Sequence, residues 1–282
     1  MSVAPSDAAG VWAPAARRSG PSPAIGPSPA TGSWWADDGH VHSTFSDGAS
    51  TPAEDVAAAV AAGLGRLTLV DHVRAGTTWL PEFVRAVDLV RGERAIGGRL
   101  AIACGVEAKV LDRAGRLDLP DRLDGIDVVL IADHRFPGPD GPLDPAVVAR
   151  WLQRGTVDVR SVLELLLGAL VEAVGRSPLP AVVAHPLSIL PKLGLREERV
   201  PMEWLHALAT RCRATGTALE VNEKWGCPGI DVVRLFHAEG VRLVAGSDAH
   251  HASAVGRWGS ARTTLSAVLG VVDEGTVAPQ PG

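Results

Sequence analysis

Cysteine is scarce in this chain. Cys104, Cys212 and Cys227 stand far apart, form no C-x-x-C pair and leave an odd count, which argues against a disulfide framework and against a thiolate zinc site. Long apolar runs are missing too. No stretch reaches the roughly 18 to 20 residues that a bilayer span requires, and the best candidate, 162–174, is interrupted by Glu164 and Glu172. The N-terminus lacks a basic stretch followed by an apolar core and a small-residue cleavage site, so no secretory signal or membrane partner is expected and a cytoplasmic location is. Nor is there an excess of positive charge. Lys and Arg total 27 against 32 Asp and Glu, a formal charge of -5, which gives no global field for duplex nucleic acid, although a local group of cations can still hold an anionic substrate.

What is present is a chain of 282 residues, 46% of them hydrophobic, enough to build a substantial core. Residues 1–33 are dominated by Ala, Pro, Ser and Gly, with Pro21, Pro23, Pro27 and Pro29 too closely spaced for helix or sheet, and read as a disordered tail. Residues 273–282 have similar character, end in Pro279 and Pro281, and read as a flexible C-terminal tail, so one folded domain is expected over 34–272. Within it, short β-branched apolar runs alternate with helical patterns. Strands are expected at 38–41, 67–70, 100–106, 126–132, 181–184, 218–221 and 242–246; their alternation with helices implies an α/β architecture with parallel pairing through helical crossovers. The first helix is signalled by Thr51 as N-cap, Pro52 at its first position and Glu54 behind it, and Gly63 ends it. Further helices are expected over 81–92, 161–175, 201–216 and 230–240.

Chemistry gathers at the strand ends, where parallel α/β barrels place their active sites. His40 and His42 follow the first strand with Asp47 just beyond. Asp71 and His72 close the second, Glu107 the third; His134 follows the fourth, His185 closes the fifth, and Asp248 and His250 follow the last. The sixth ends in Glu220-Val221-Asn222, polar residues suited to supporting ligands from behind or touching substrate, as is Asp71. Alternation in His40-Val41-His42 puts both imidazoles on one face of an extended segment, where they can reach a single ion. A lone His72 or His134 would carry little weight, but ligand types delivered by strand after strand to one barrel mouth point to a metal centre. His206, His237 and His251 have no such place and are read as structural or surface residues.

The sequence resembles the PHP (polymerase and histidinol phosphatase) domain hydrolases. The resemblance runs over about 36–258 and is carried by Gly39-His40-Val41-His42-Ser43-Thr44-Phe45-Ser46-Asp47-Gly48, Thr51-Pro52-Ala53-Glu54 and Leu69-Val70-Asp71-His72, then by Gly105-Val106-Glu107, Ala184-His185-Pro186 and Ser247-Asp248-Ala249-His250. Val70 replaces the usual Thr before Asp71-His72. Ala132-Asp133-His134-Arg135 replaces the commoner Ser-x-His form, which leaves Asp133 as an alternative ligand there. The resemblance implies a distorted (βα)7 TIM-like barrel holding two to three divalent ions at the C-terminal ends of the strands. One would be bound by His40, His42, Glu107 and Asp248, a second by Glu107, His134 and His185 with Glu107 bridging, and a third by Asp47, His72 and His250. Catalysis would then rest on His40, His42, Glu107 and Asp248.

Such a shell carries a charge of about -3, which three divalent ions would turn to about +3 and so favour an anion. Nitrogen and oxygen ligands suit Zn²⁺, Mn²⁺ or Fe²⁺ without choosing among them. The expected activity is metal-dependent hydrolysis of a small anionic phosphorylated metabolite or short nucleotide. Hydrolysis of an amide-type bond is the alternative, since a metal-activated hydroxide attacks carbonyls equally well, and a non-catalytic binding barrel is a third reading. Arg74, Arg135 and Lys224 are the expected substrate-binding cations, with Lys109, Lys192 and Arg257 as further candidates. Trp79, Trp151 and Trp225 are either core residues or an apolar wall for a substrate. Residues 136–177 form a long connection that is expected to rise over the barrel mouth as a lid.

Overall fold

The structure is a computed structural model, which describes residues 34–93 and 100–270; the expected tails at 1–33 and 273–282 lie outside them. Among the described residues nine strands are found, β1 (Asp37–Val41), β2 (Arg66–His72), β3 (Ala101–Lys109), β4 (Val128–Ala132), β5 (Phe136–Pro137), β6 (Pro142–Leu143), β7 (Ala181–Val183), β8 (Ala218–Asn222) and β9 (Leu243–Gly246). The helices are α1 (Pro52–Ala61), α2 (Leu80–Gly92), α3 (Pro145–Gln153), α4 (Val159–Arg176), α5 (Met202–Thr215), α6 (Ile230–Ala238) and α7 (Ser260–Leu269). Seven strands form one parallel sheet in the order β1-β2-β3-β4-β7-β8-β9, and β5 and β6 make a separate short hairpin. The sheet curls until its edges meet. Val41 bridges Ala249 in parallel, and His42 N donates to Ala249 O at 2.8 Å, so β1 and the end of β9 nearly close a distorted (βα)7 barrel.

Side-chain alternation divides the interior in two. On β4, Val129 and Ile131 pack outward into the large core beneath the helices, while Val128, Leu130 and Ala132 join Val70, Val182, Ala184, Ala218 and Val244 in a small core inside the barrel. The same rule of two on β3 sends Cys104, Val106 and Ala108 outward and therefore Gly105 and Glu107 inward. Val41 and Leu69 face out, so His40, His42 and His72 face in; Leu219 and Val221 face out, so Glu220 and Asn222 face in. Gly246 pairs with Asn222 on β8, and a Cβ there would overlap Glu220 Oε1 and come within 2.9 Å of the His40 Cβ, so only glycine lets the side chains of Glu220 and His40 sit so close.

Local side-chain caps open three of the helices. Thr51 Oγ1 accepts from Glu54 N at 3.3 Å while Glu54 Oε2 accepts from Thr51 N at 2.7 Å, a reciprocal capping box with Pro52 inside it. Asp144 and Asp158 cap α3 and α4. Two expectations need correction. Strand β3 runs on through Lys109, so Glu107 lies within it, paired with His72 on one side and Leu130 on the other. The connection 136–177 is not a single lid either. Its α4 is an ordinary outer helix, burying Leu163, Leu166, Leu167 and Leu170 and packing on α5, and α3 packs on the 3-10 turn Leu190–Leu193. Helix α7 was not foreseen.

Candidate metal centre

Glu107 stands at the middle of the barrel mouth. Its Oε1 lies 2.8 Å from His185 Nε2 and 3.1 Å from His134 Nε2; its Oε2 lies 2.9 Å from His72 Nδ1, 3.4 Å from His42 Nε2 and 3.6 Å from His40 Nε2. Five imidazoles therefore surround one carboxylate. Asp248 Oδ1 approaches His42 Nε2 at 3.6 Å and His250 Nδ1 at 3.3 Å. Asp47 Oδ2 is 3.4 Å from His72 Nε2, and its Oδ1 is 3.4 Å from His250 Nε2 and 3.8 Å from His42 Nδ1. All nine residues singled out as ligands thus converge on one place. Three sets among them bring ligand atoms within 4.8 Å of one another: His40, His42 and Glu107; His72, Glu107 and His134; and His42, Asp47, His72 and His250. The grouping differs from the expected one in detail, because His72 faces Glu107 as well as Asp47 and His42 stands between two sets.

Neighbouring side chains orient these groups from behind. His40 Nδ1 lies 2.9 Å from Glu220 Oε1, so it carries a proton and Nε2 faces the centre. The other oxygen of Glu220 accepts the backbone N–H of His185, whose φ of +28° breaks the strand and turns its ring inward. His185 Nδ1 is 3.0 Å from Ser188 Oγ, and Ser188 Oγ donates to Asp133 Oδ1 at 2.8 Å. Asp133 thus lies behind His185, while His134 is the neighbour that faces Glu107. Asp71 accepts from Ser43 N, Ser43 Oγ and Ser46 Oγ, holding the loop between His42 and Asp47. Asn222 lies beneath Asp248, its Nδ2 3.4 Å from Oδ2. Ser43, Ser188 and their bonds carried no signal in the sequence beyond their nearness to proposed ligands.

The chemistry of this donor set fits divalent cations. His40 Nε2 and His42 Nε2 lie only 2.9 Å apart, and two nitrogen lone pairs tolerate that distance only with a proton or a cation to share. His42 Nδ1 is buried without a hydrogen-bond partner. Burial opposes charge on His40, yet the carboxylates of Glu220, Asp248 and Glu107 prevail and hold it well above the ordinary imidazole value. His185 is likewise pushed up to about 10 against its burial by Asp133 and Glu107. His42 is held well below the ordinary value by burial and by His40. Glu107, despite burial, stays well below the usual carboxylate range because His134 and His40 stand beside it. A cation entering here competes with protons for the same nitrogens, so its binding releases protons and strengthens as pH rises.

Over 240 residues the chain is 31% identical to the "Probable histidinol-phosphatase" of Deinococcus radiodurans, an alignment covering 78% of this chain and 88% of that one. The chain belongs to the histidinol-phosphatase family of PHP metal-dependent phosphoesterases. Among solved structures it is similar to the histidinol phosphate phosphatase of Lactococcus lactis subsp. lactis Il1403 complexed with zinc, L-histidinol and phosphate, with 19% identity, a TM-score of 0.59 and coverage of 82% of this chain and 93% of that one, which shows a shared fold. No family model matches the chain. No helix among the described residues is long and apolar enough to cross a membrane.

The cations expected to hold the phosphoesterase's substrate are placed unequally. Lys224 Nζ lies 3.4 Å from Asp248 Oδ1 and 3.1 Å from His250 Nδ1, at the centre itself. Arg135 is paired with Asp144 at 2.8 Å on the surface, and Lys109 with Asp118 at 2.6 Å. Arg74 is exposed. Lys192 Nζ stands 4.5 Å from the centroid of the Trp225 ring. A pocket of about 690 Å³ opens beside Asp248 and His250 and is also lined by Lys224, His251, Arg257 and Trp258. Trp79 packs against Phe45 and Phe83 in the core, and Trp151 is partly buried there.

Proposed function

We propose that this centre binds two to three divalent ions, Zn²⁺, Mn²⁺ or Fe²⁺, through His40, His42, Asp47, His72, Glu107, His134, His185, Asp248 and His250, and hydrolyses the phosphomonoester of a small anionic metabolite. The observation that carries the reading is the buried Glu107 carboxylate ringed by five imidazoles. Divalent ions supply Lewis acidity, lowering the pKa of water toward neutrality and offsetting charge on phosphoryl oxygens. The chain's own residues do the rest. Glu220 and the Ser188–Asp133 pair fix the tautomers of His40 and His185. Lys224 brings a mobile positive charge to the open side of the centre, where it can meet phosphoryl oxygens. Asp47, His72, His134 and His250 are partly exposed, so substrate enters from their side.

Histidinol phosphate, the substrate implied by the names of the Deinococcus and Lactococcus proteins, is the first compound to test, and a cytoplasmic location belongs to the same reading. The test reconstitutes metal-stripped protein with each ion and follows phosphate release from histidinol phosphate, p-nitrophenyl phosphate, bis-p-nitrophenyl phosphate and short oligonucleotides, with model amides alongside. Phosphate release from monoesters is expected, and turnover confined to amides would overturn the reading.

A further inference from the structure

Asp248 follows β9 with φ +53°, in the left-handed region that residues with a side chain rarely adopt, so its place is imposed by its surroundings. Its two carboxylate oxygens have different neighbours. Oδ1 faces His42 Nε2 at 3.6 Å, His250 Nδ1 at 3.3 Å and Lys224 Nζ at 3.4 Å. Oδ2 turns to the loop after β8, where Trp225 Nε1 donates to it at 3.0 Å and Asn222 Nδ2 at 3.4 Å.

We propose that Trp225 is a positioning residue of the metal centre, whose indole N–H holds Asp248 Oδ2 so that Oδ1 alone is presented to a divalent ion. The inference rests on the reading of Asp248 as a ligand. The two donors act as one unit. Trp225 N donates to Asn222 Oδ1 at 2.9 Å, which turns the amide so that Nδ2 points to Asp248. Trp225 is 40% exposed, its ring is covered on one face by Lys192, and the ring centroid is 6.1 Å from that of His185, so a partly exposed tryptophan directs its indole N–H to a buried carboxylate. Lys224 explains why the anchor matters. Its ammonium is already within 3.4 Å of Oδ1, and a carboxylate free to rotate would turn toward it and away from the imidazoles.

The test uses the full chain stripped of metal and titrated with Zn²⁺ alone against a chromophoric chelator. Trp225→Phe keeps a flat ring and removes only the donor; Trp225→His retains a ring N–H. Trp204→Phe, on the outer helix α5 beside Arg160, is the control. Loss of an outer partner of a ligand typically weakens metal affinity by about 10- to 100-fold, and Trp225→Phe is expected to fall in that range, with Trp225→His weakened less and Trp204→Phe within about twofold of wild type. In an Asp248→Asn background the Trp225→Phe effect should vanish, since the donor has lost the ligand through which it acts. Unchanged Zn²⁺ affinity in Trp225→Phe, equal losses in the Phe and His variants, or a loss that persists in Asp248→Asn would each overturn the proposal. Wild-type protein that binds no Zn²⁺ would overturn the reading of the centre as well, whereas wild-type binding with an indifferent Trp225 removes only the inference.

Discussion

The floor and the rim of the centre use the same ligand types under opposite conditions. On the floor, the side chains of His40, His42, Glu107, His185 and Asp248 are 3% exposed or less, and three of them lean on a further group: His40 on Glu220, His185 on Ser188, Asp248 on Trp225 and Asn222. On the rim, Asp47 is 55% exposed and His72, His134 and His250 between 26% and 33%, and water can serve most of their free atoms. A buried ligand cannot be left to water, so its orientation has to be built into the protein. On the proposed reading of the site, the floor would then hold its cations through a fixed geometry and the rim would leave positions open to substrate.

If that contrast is right, the most damaging change is to Glu107, the buried residue that two of the three ligand sets share. Glu107→Gln keeps the shape and removes the charge that offsets the surrounding cations. We predict a fall in kcat/KM of about 1,000-fold or more together with loss of bound metal, read by steady-state kinetics and elemental analysis, on the ground that removing the partner of a buried charge is strongly destabilising to the whole set. A variant retaining full metal content and activity would break the distinction. Glu220→Gln comes next. It touches no proposed substrate position, yet its carboxylate orients His40 and accepts the backbone N–H of His185. Metal affinity should drop by about 10- to 100-fold, and activity should recover at saturating metal, which separates orientation from chemistry.

Three floor residues, and His72 on the rim, could be read from the sequence, because period two along a strand fixes which side chains share a face. His40, His42, His72 and Glu107 all lie on the inward face opposite outward Val41, Leu69 and Val106. His185 could be placed at the end of its strand, but its positive φ takes it out of the alternation that sets direction. Long-range partners were legible only in part: Glu220, Asn222 and Asp71 were expected to support ligands, but which ligand each holds was not. The cap of α7 comes from Glu223, whose carboxylate accepts from Gly259 N, Ser260 N and Ala261 N, so the helix has no local start signal and was missed. The bond from Trp225 to Asp248 likewise joins the loops after β8 and β9, neighbours in the sheet through Asn222 and Gly246, a pairing that no local pattern announces. The lid expected over 136–177 failed for a related reason: α4 buries its leucines against the outer core, and periodicity does not reveal which surface a helix will cover.

Asp55 sharpens the contrast from outside the centre, being a buried carboxylate with no partner. It lies on α1, fully buried, and neither oxygen has a hydrogen-bond partner. Burial, with Asp71, Glu54 and Asp38 adding to it, pushes its carboxyl from 3.8 up to about 7. The folded state therefore keeps a proton that the unfolded chain releases, so the contribution to stability is greatest in acid, falls as pH rises from about 4 to about 7 and is absent above. Asp55→Ala should stabilise the metal-stripped protein at pH 8 by about 2 kcal/mol, with the gain shrinking as pH falls toward 5. Urea unfolding at the two pH values measures it. A variant equally stabilised at both, or less stable than wild type at pH 8, would show that the buried charge is not the cause.

The rim should respond least, and Asp47→Asn asks how little. Asp47 reaches His42, His72 and His250 at 3.4 to 3.8 Å, but its own side chain is more than half exposed and exchanges readily with solvent. Replacing it with Asn removes one charge while leaving the floor and its supporting bonds untouched. The expected result is weaker binding of the outermost ion, a fall in kcat/KM of about tenfold or less, and restoration by added metal, because an exposed carboxylate in high dielectric contributes far less than a buried one. Elemental analysis after dialysis should find the floor ions retained. Were Asp47→Asn to strip the protein of all metal, as expected for Glu107→Gln, the outer ion would have to be a condition for the inner ones, and burial would no longer explain which ligands dominate the site.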